Sequence, residues 1–251
     1  MSQLSALVLC LGICMSLCRA QDDFVPKRFY LQVRIVTDGQ PAASIVCPPG
    51  QDYAAIAARV QEAVRQASGA TLPIIPPDRA LPEHWTGERS FILLGKLGDS
   101  EAVDALYVQH YVCSDARWPG AGGHELRTIH DPYGTGACGV MIGGSDLAGV
   151  EQAAMRFSAL LPAGRDIVLP HTIDLSGPAV TGPMSQSTMD TIRAGLPRSN
   201  FRQVGAWAHS ACLDYYRSGD PNYALIAKEA LYRLAEIVAK MKAIDDSRWV
   251  I

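Results

Sequence analysis

DPYGTGACGVMIGGSDLAGVEQAAMRFSALL, residues Asp131 to Leu161, decides how this chain folds. Within it Gly139-Val140-Met141-Ile142-Gly143 is a short apolar run bounded by glycines, the pattern of a strand covered on both faces. Gly144-Ser145-Asp146 follows with turn and cap chemistry, because a Ser or Asp oxygen accepts from the free N–H groups of a helix's first turn. From there Val150, Ala153, Ala154, Phe157, Leu160 and Leu161 recur at three- and four-residue steps, an apolar stripe that a helix lays back on a sheet. The stretch therefore reads as turn, buried strand, tight turn, helix.

The residues upstream supply the rest of the sheet. Phe29 to Thr37 alternates apolar and polar residues and reads as a first strand, ended by Asp38-Gly39. Ala43 to Cys47 is a short strand. Asp52 is the expected cap of a helix that carries Tyr53, Ile56, Ala57, Val60, Val64 and Ala67 on one face and closes at Ser68-Gly69. Thr71 to Ile75 reads as an edge strand, since Pro73 has no N–H for a central ladder. Phe91 to Gly95 is a second buried strand, and Lys96 to Asp99 turns the chain into a short helix through Val103, Leu106 and Tyr107. His124 to His130 alternates and pairs with Cys138 to Gly143 as a hairpin across Asp131-Pro132-Tyr133-Gly134. Arg165 to Leu175 is extended. The sum is an α/β fold, a mixed sheet with helices packed on it.

Ser176-Gly177-Pro178 and Thr181-Gly182-Pro183 interrupt the pattern, so residues 21–175 form one domain and 176–198 a linker. From 199 onward the periodicity is helical. Phe201, Val204, Ala208, Ala211, Cys212 and Tyr215 share one helix, and Asp220-Pro221 stops it and starts the next, through Tyr223, Ile226, Ala230, Leu234 and Met241. Two antiparallel helices cannot bury both faces unaided, so residues 199–251 read as the start of a larger helical domain that is cut short.

Leu4 to Leu17 is apolar, the length of a signal-peptide core and short for a bilayer span, and cleavage before Gln21 is expected although Met1-Ser2-Gln3 carries no Lys or Arg. Residues 1–20 then leave, which makes the product secreted or periplasmic and free of the membrane. Three of the seven cysteines leave with them. Cys47, Cys113, Cys138 and Cys212 remain, as disulfides in any of three pairings or as buried thiols; no CxxC or HxxxH spacing points to zinc. With 48% hydrophobic residues, 19% charged and a net charge of -3, the chain is globular in composition and has no general attraction for nucleic acid.

The chemical motifs are sparse. Gly134-Thr135-Gly136-Ala137-Cys138-Gly139 satisfies GxGxxG but opens a strand, whereas a dinucleotide fingerprint opens a helix. Gly143 to Asp146 does sit between strand and helix, and reads as a capped turn ahead of an anion site. His124-Glu125 lacks the second histidine of a zinc-protease helix, and no GxSxG elbow occurs. His130 and Asp131, adjacent on a strand, face opposite ways. Neither metal nor cofactor is implied, and no catalytic residue stands out. Trp207, His209, Tyr215 and Tyr216 are the candidate substrate-binding residues: aromatics with a histidine can line a sugar cleft, while at this spacing core packing is the favoured account of them.

ASGATLPII (Ala67 to Ile75), FILLGKLGDS (Phe91 to Ser100) and GVMIGGSDLAGVEQAAMRF (Gly139 to Phe157) come in that order. Residues 30–175 thereby resemble the α/β domain that precedes the catalytic domain in β-hexosaminidases, α-glucuronidases and related secreted carbohydrate-active enzymes. That domain packs beside the catalytic domain, so the resemblance implies a polysaccharide or oligosaccharide partner and transfers no catalytic residue. Those glycosidases continue into a (β/α)8 barrel, whereas WAHSACLDYYRSGDPNYALIAKEALYRLAE (Trp207 to Glu236) is similar to the helical hairpins that open (α/α) toroids of polysaccharide lyases and some glycosidases. The implied function is the N-terminal, non-catalytic region of an exported glycoside hydrolase or polysaccharide lyase. The alternative is an exported module that binds a glycan or a protein without catalysis.

Overall fold

The computed structural model describes residues 32–87, 89–180 and 182–242. The expected signal peptide and the first residues of the expected opening strand lie outside them. The first part of the chain runs β1 (Gln32–Thr37), β2 (Gln40–Pro41), β3 (Ala43–Val46), α1 (Gln51–Ser68), β4 (Ile74–Ile75), β5 (Ser90–Gly95), α2 (Glu101–Val108), β6 (His124–His130), β7 (Cys138–Gly144), α3 (Leu147–Leu160), β8 (Ile167–Pro170) and β9 (Ile173–Ser176). Helices α4 (Gln186–Gly195), α5 (Phe201–Ser218) and α6 (Pro221–Lys242) follow. The protein is α/β, as the periodicities indicate.

Six strands form the main sheet in the order β4-β3-β5-β7-β6-β9, parallel from β4 to β7, with β6 antiparallel to both of its neighbours. The β6–β7 hairpin is in the expected register, from His124 opposite Gly144 to His130 opposite Cys138. Successive strand residues divide cleanly between two cores, because side chains alternate across a pleat. Ile45, Ile92, Leu94, Val140 and Ile142 face α1 and α3, while Val46, Phe91, Leu93 and Met141 face α2. Under α2 lies Trp85, fully buried, its indole N–H donating to the Ala80 carbonyl at 2.8 Å and its ring 5.0 Å from that of Phe91. A Cβ at Gly139 would approach Trp85 Cη2 to 2.7 Å, which is why the second residue of the central strand β7 is glycine.

Three local expectations are revised. Gly50, at φ 118°, precedes α1 and Asp52 lies inside its first turn, where it meets the helix's positive end without capping it. Leu160, the last residue of α3, is exposed, while Leu161 just beyond it packs on the core. Arg165 to Leu175 divides into two strands: β8 pairs with β1 in a separate antiparallel sheet, β2-β1-β8, and β9 pairs with β6. The small sheet adds Val33, Ile35, Ile167 and Leu169 to the core beneath α1 and α3.

The stretch 176–198, expected as linker, carries α4 and a 3₁₀ turn at Leu196–Arg198. Met189 and Leu196 are buried against α5 and α6. Ile192 packs between them, so three anchors at steps of three and four residues seat the helix on the hairpin, too short a stripe beside the Gly and Pro interruptions to be read as one from the sequence.

Candidate functional site

Residues between α4, α5 and α6 enclose a groove of about 560 Å³, within the range of ligand sites. Cap chemistry aims the helices. Ser185 accepts from the Thr188 N–H at 3.2 Å to start α4. Asn200 and Gln203 form a reciprocal capping box at α5, and Gly219 closes it in the left-handed region at φ 71°. Asp220 accepts from Met184 N–H at 2.8 Å and from Asn222 N–H at 3.0 Å, tying the 182–185 segment to the start of α6. The groove is lined by Trp207, Ser210 and Asp214 from α5, by Ser185 and Thr188, and by Tyr223. Tyr223 donates to the Gly182 carbonyl at 3.3 Å. Trp207 is half-buried, its ring edge lodged against Gly195, where a Cβ would come within 2.9 Å of Cη2.

The four residues singled out in the sequence do not converge. At about 100° per residue, Tyr216 lies on the side of α5 opposite Trp207 and Tyr215 about 80° away. Trp207 faces the groove. His209 is exposed outside it. Tyr215 flanks a second, more apolar depression of about 460 Å³ with Cys212, Ala227, Leu231 and Tyr232. The Tyr216 hydroxyl donates to the Val112 carbonyl at 2.6 Å, and its ring stacks 4.5 Å from the Arg127 guanidinium carbon. Asp214, seven residues after Trp207, shares its face, a position that a stripe of apolar residues does not mark because it is polar.

A second cluster lies on β6, where alternation alone does not announce it. Glu125 and Arg127 share a face of β6, with side chains 0% and 6% exposed and Arg127 Nε donating to Glu125 Oε1 at 2.7 Å. Glu125 also accepts the Ser114 N–H at 2.8 Å, the Cys113 N–H at 3.1 Å and the Cys113 thiol at 3.2 Å. Arg127 donates to the Tyr216 carbonyl in the last turn of α5, where the helix presents negative charge. Burial alone would raise the Glu125 carboxyl, but Arg127 and the N–H groups outweigh it and hold it below the ordinary carboxylate range. Burial, then the Glu125 charge, pushes the Cys113 thiol up, so it is protonated at neutral pH. With every charge matched, this cluster fastens α5 to the sheet and offers no reacting group.

Beside it runs a polar chain. Thr128 Oγ1 lies 3.0 Å from His130 Nε2, His130 Nε2 3.0 Å from His171 Nδ1, and His171 Nε2 3.0 Å from the Tyr215 hydroxyl. With Tyr215 donating to Nε2, the remaining N–H of His171 points at His130. Burial, and then the nearby Arg127 charge, hold His171 below its ordinary pKa.

Asp131, at φ 46°, is a turn residue whose carboxylate accepts the Gly136 N–H at 2.7 Å. Asp146 caps α3, accepting from Gly149 N–H at 2.9 Å, and takes Gly122 N–H at 2.8 Å. Its carboxylate thus occupies the helix end that an anion would need. Among the described residues no group of three His, Cys, Asp or Glu gathers to hold a metal, and no helix is long and apolar enough to cross a membrane. Cys47, Cys113, Cys138 and Cys212 are free thiols, the last exposed.

No family model matches the chain, and no curated protein matches it in sequence. Among solved structures it is similar to a family GH115 4-O-methyl-alpha-glucuronidase with specificity for decorated arabinogalactans, at a TM-score of 0.40 and 18% identity, over 60% of this chain and 19% of that one. The chain thus spans about a fifth of that protein's length.

Proposed function

We propose that this chain is the non-catalytic N-terminal region of an exported polysaccharide-degrading enzyme, a glycoside hydrolase or polysaccharide lyase, and that it holds glycan in the Trp207 groove. The observation that carries the reading is a mostly apolar groove, walled by Pro183, Met184, Ile192 and Ile226, that also presents one indole, one carboxylate and the hydroxyls of Ser185, Thr188, Ser210 and Tyr223. An aromatic face covers the C–H face of a sugar, and short polar side chains receive its hydroxyls. The motifs shared with the accessory domain of carbohydrate-active enzymes support the same assignment.

Isothermal titration of the full chain with a panel of oligosaccharides tests it. Binding is expected in the micromolar to millimolar range and lost in W207A, with neither new reducing ends nor unsaturated product formed. Absence of binding across the panel overturns the glycan reading, and turnover by the chain itself overturns the non-catalytic one. A second reading, an exported protein-binding module, draws on the depression beside Tyr215, where Leu231 is 53% and Tyr232 65% exposed. That reading is favoured if glycans fail while L231D changes association with a partner.

A further inference from the structure

The charge of the groove is one-sided. Among the described residues that line it, Asp214 is the only charged side chain. No hydrogen-bond donor among the described residues holds the Asp214 carboxylate; the bond made to Asp214 goes from Ser218 Oγ to its main-chain carbonyl. The neighbouring Asp220 carboxylate is occupied by the Met184 and Asn222 N–H groups. Burial, then Asp214 and Asp220 together, push the Tyr223 hydroxyl up, so both carboxylates act on the same wall. The cation on α4, Arg193, is turned to α6 and fixed to Glu229 by two hydrogen bonds of 2.8 Å. The groove therefore pairs an aromatic surface with an unmatched acceptor, and its described lining residues include no cation to receive an anion.

We infer that the groove takes a neutral or amino pyranose and discriminates against uronates, with Asp214 accepting a pair of O–H or N–H donors from the ring edge while Trp207 covers its face. The inference rests on the glycan reading above. A carboxylate accepts two donors at once, which suits vicinal hydroxyls or an ammonium with its neighbouring hydroxyl. A uronate would set its own carboxylate against Asp214 in a half-buried site, and like charges so placed repel strongly.

The test is calorimetric titration of the purified full chain, at pH 6 and low salt, with xylotriose, a glucosamine trimer and a galacturonate trimer. The first two are expected to bind, and the galacturonate trimer at least about tenfold more weakly. D214N should weaken the glucosamine trimer by about tenfold or more and narrow the discrimination against galacturonate, whereas D190N, on α4 outside the groove, should change neither. If D214N fails to fold, about 0.5 M salt added to the wild-type protein should narrow the same gap, since it screens charge at this range. Galacturonate binding as tightly as xylotriose overturns the inference and leaves the glycan reading standing. If no sugar binds, the glycan reading falls and takes the inference with it. Unchanged selectivity in D214N removes Asp214 from the role.

Discussion

Glu125→Gln isolates the worth of the buried pair under α5. The carboxylate is wholly inaccessible and accepts from Ser114 N–H, Cys113 N–H, the Cys113 thiol and Arg127 Nε, all within 3.2 Å. Glutamine keeps the shape but leaves one oxygen for these donors and turns an NH2 group toward the others. Arg127 then remains buried without its counter-charge, and breaking a buried pair from one side costs about 3–5 kcal/mol. Against a domain stability of about 5–15 kcal/mol that is a large share. At about 2–4 °C per kcal/mol for a chain of this size, the melting midpoint should fall by about 6–20 °C. Urea melts followed by circular dichroism, with E125Q, R127M and the double variant as a cycle, measure the coupling. The double variant should recover part of the loss, because it leaves no buried charge. The sign with pH follows from the depressed carboxyl: its stabilisation is present above the unfolded value of about 4.3 and is lost as pH falls through the folded one, a slope that E125Q lacks. An E125Q protein within about 1 kcal/mol of wild type would refute the claim that this pair fastens α5 to the sheet.

Gly149→Ala sets a helix gain of about 1 kcal/mol against a Cβ placed 2.0 Å from the Gly123 carbonyl oxygen, so the clash should win and stability fall by about 2 kcal/mol or more in the same melts. Of Cys47, Cys113, Cys138 and Cys212, the exposed Cys212 should be alkylated by iodoacetamide at least about tenfold faster than the rest, since burial raises the other three thiols. Mass spectrometry of the labelled peptides reads this, and equal rates would contradict the burial. His171 is held below its ordinary pKa, so below about pH 6.5 the unfolded chain takes up a proton that the folded one does not, and stability should decline as pH drops. H171N should flatten that part of the profile; an unchanged slope would refute it.

The elements most legible in the sequence are those whose signals are local. GVMIGG followed by an Asp cap three residues before Gly149 is a strand, a turn and a helix by backbone chemistry alone, and the structure keeps all three. The two-residue turn at Asp38-Gly39 and the glycine stop at Gly69 are legible for the same reason. The site was only partly legible. Trp207 was singled out for its ring, but its partner Asp214 was not, because which face of an isolated helix meets a groove depends on what packs around it. Glu125 and Arg127 on HELRTIH look like the solvent side of an edge hairpin. They are interior only because α5 and the 112–115 segment cover that face.

By itself, then, the amino-acid order determined the strand and helix periods, the turn positions and the α/β class, since those follow from side-chain spacing and φ preference within a few residues. Tertiary structure alone decided that β1 and β8 leave the main sheet, that α4 seats on the α5–α6 hairpin, which face of α5 meets a groove, and that a carboxylate is left unmatched there. Each of these depends on contacts between segments far apart in the chain, whose free energy appears only when the partners meet.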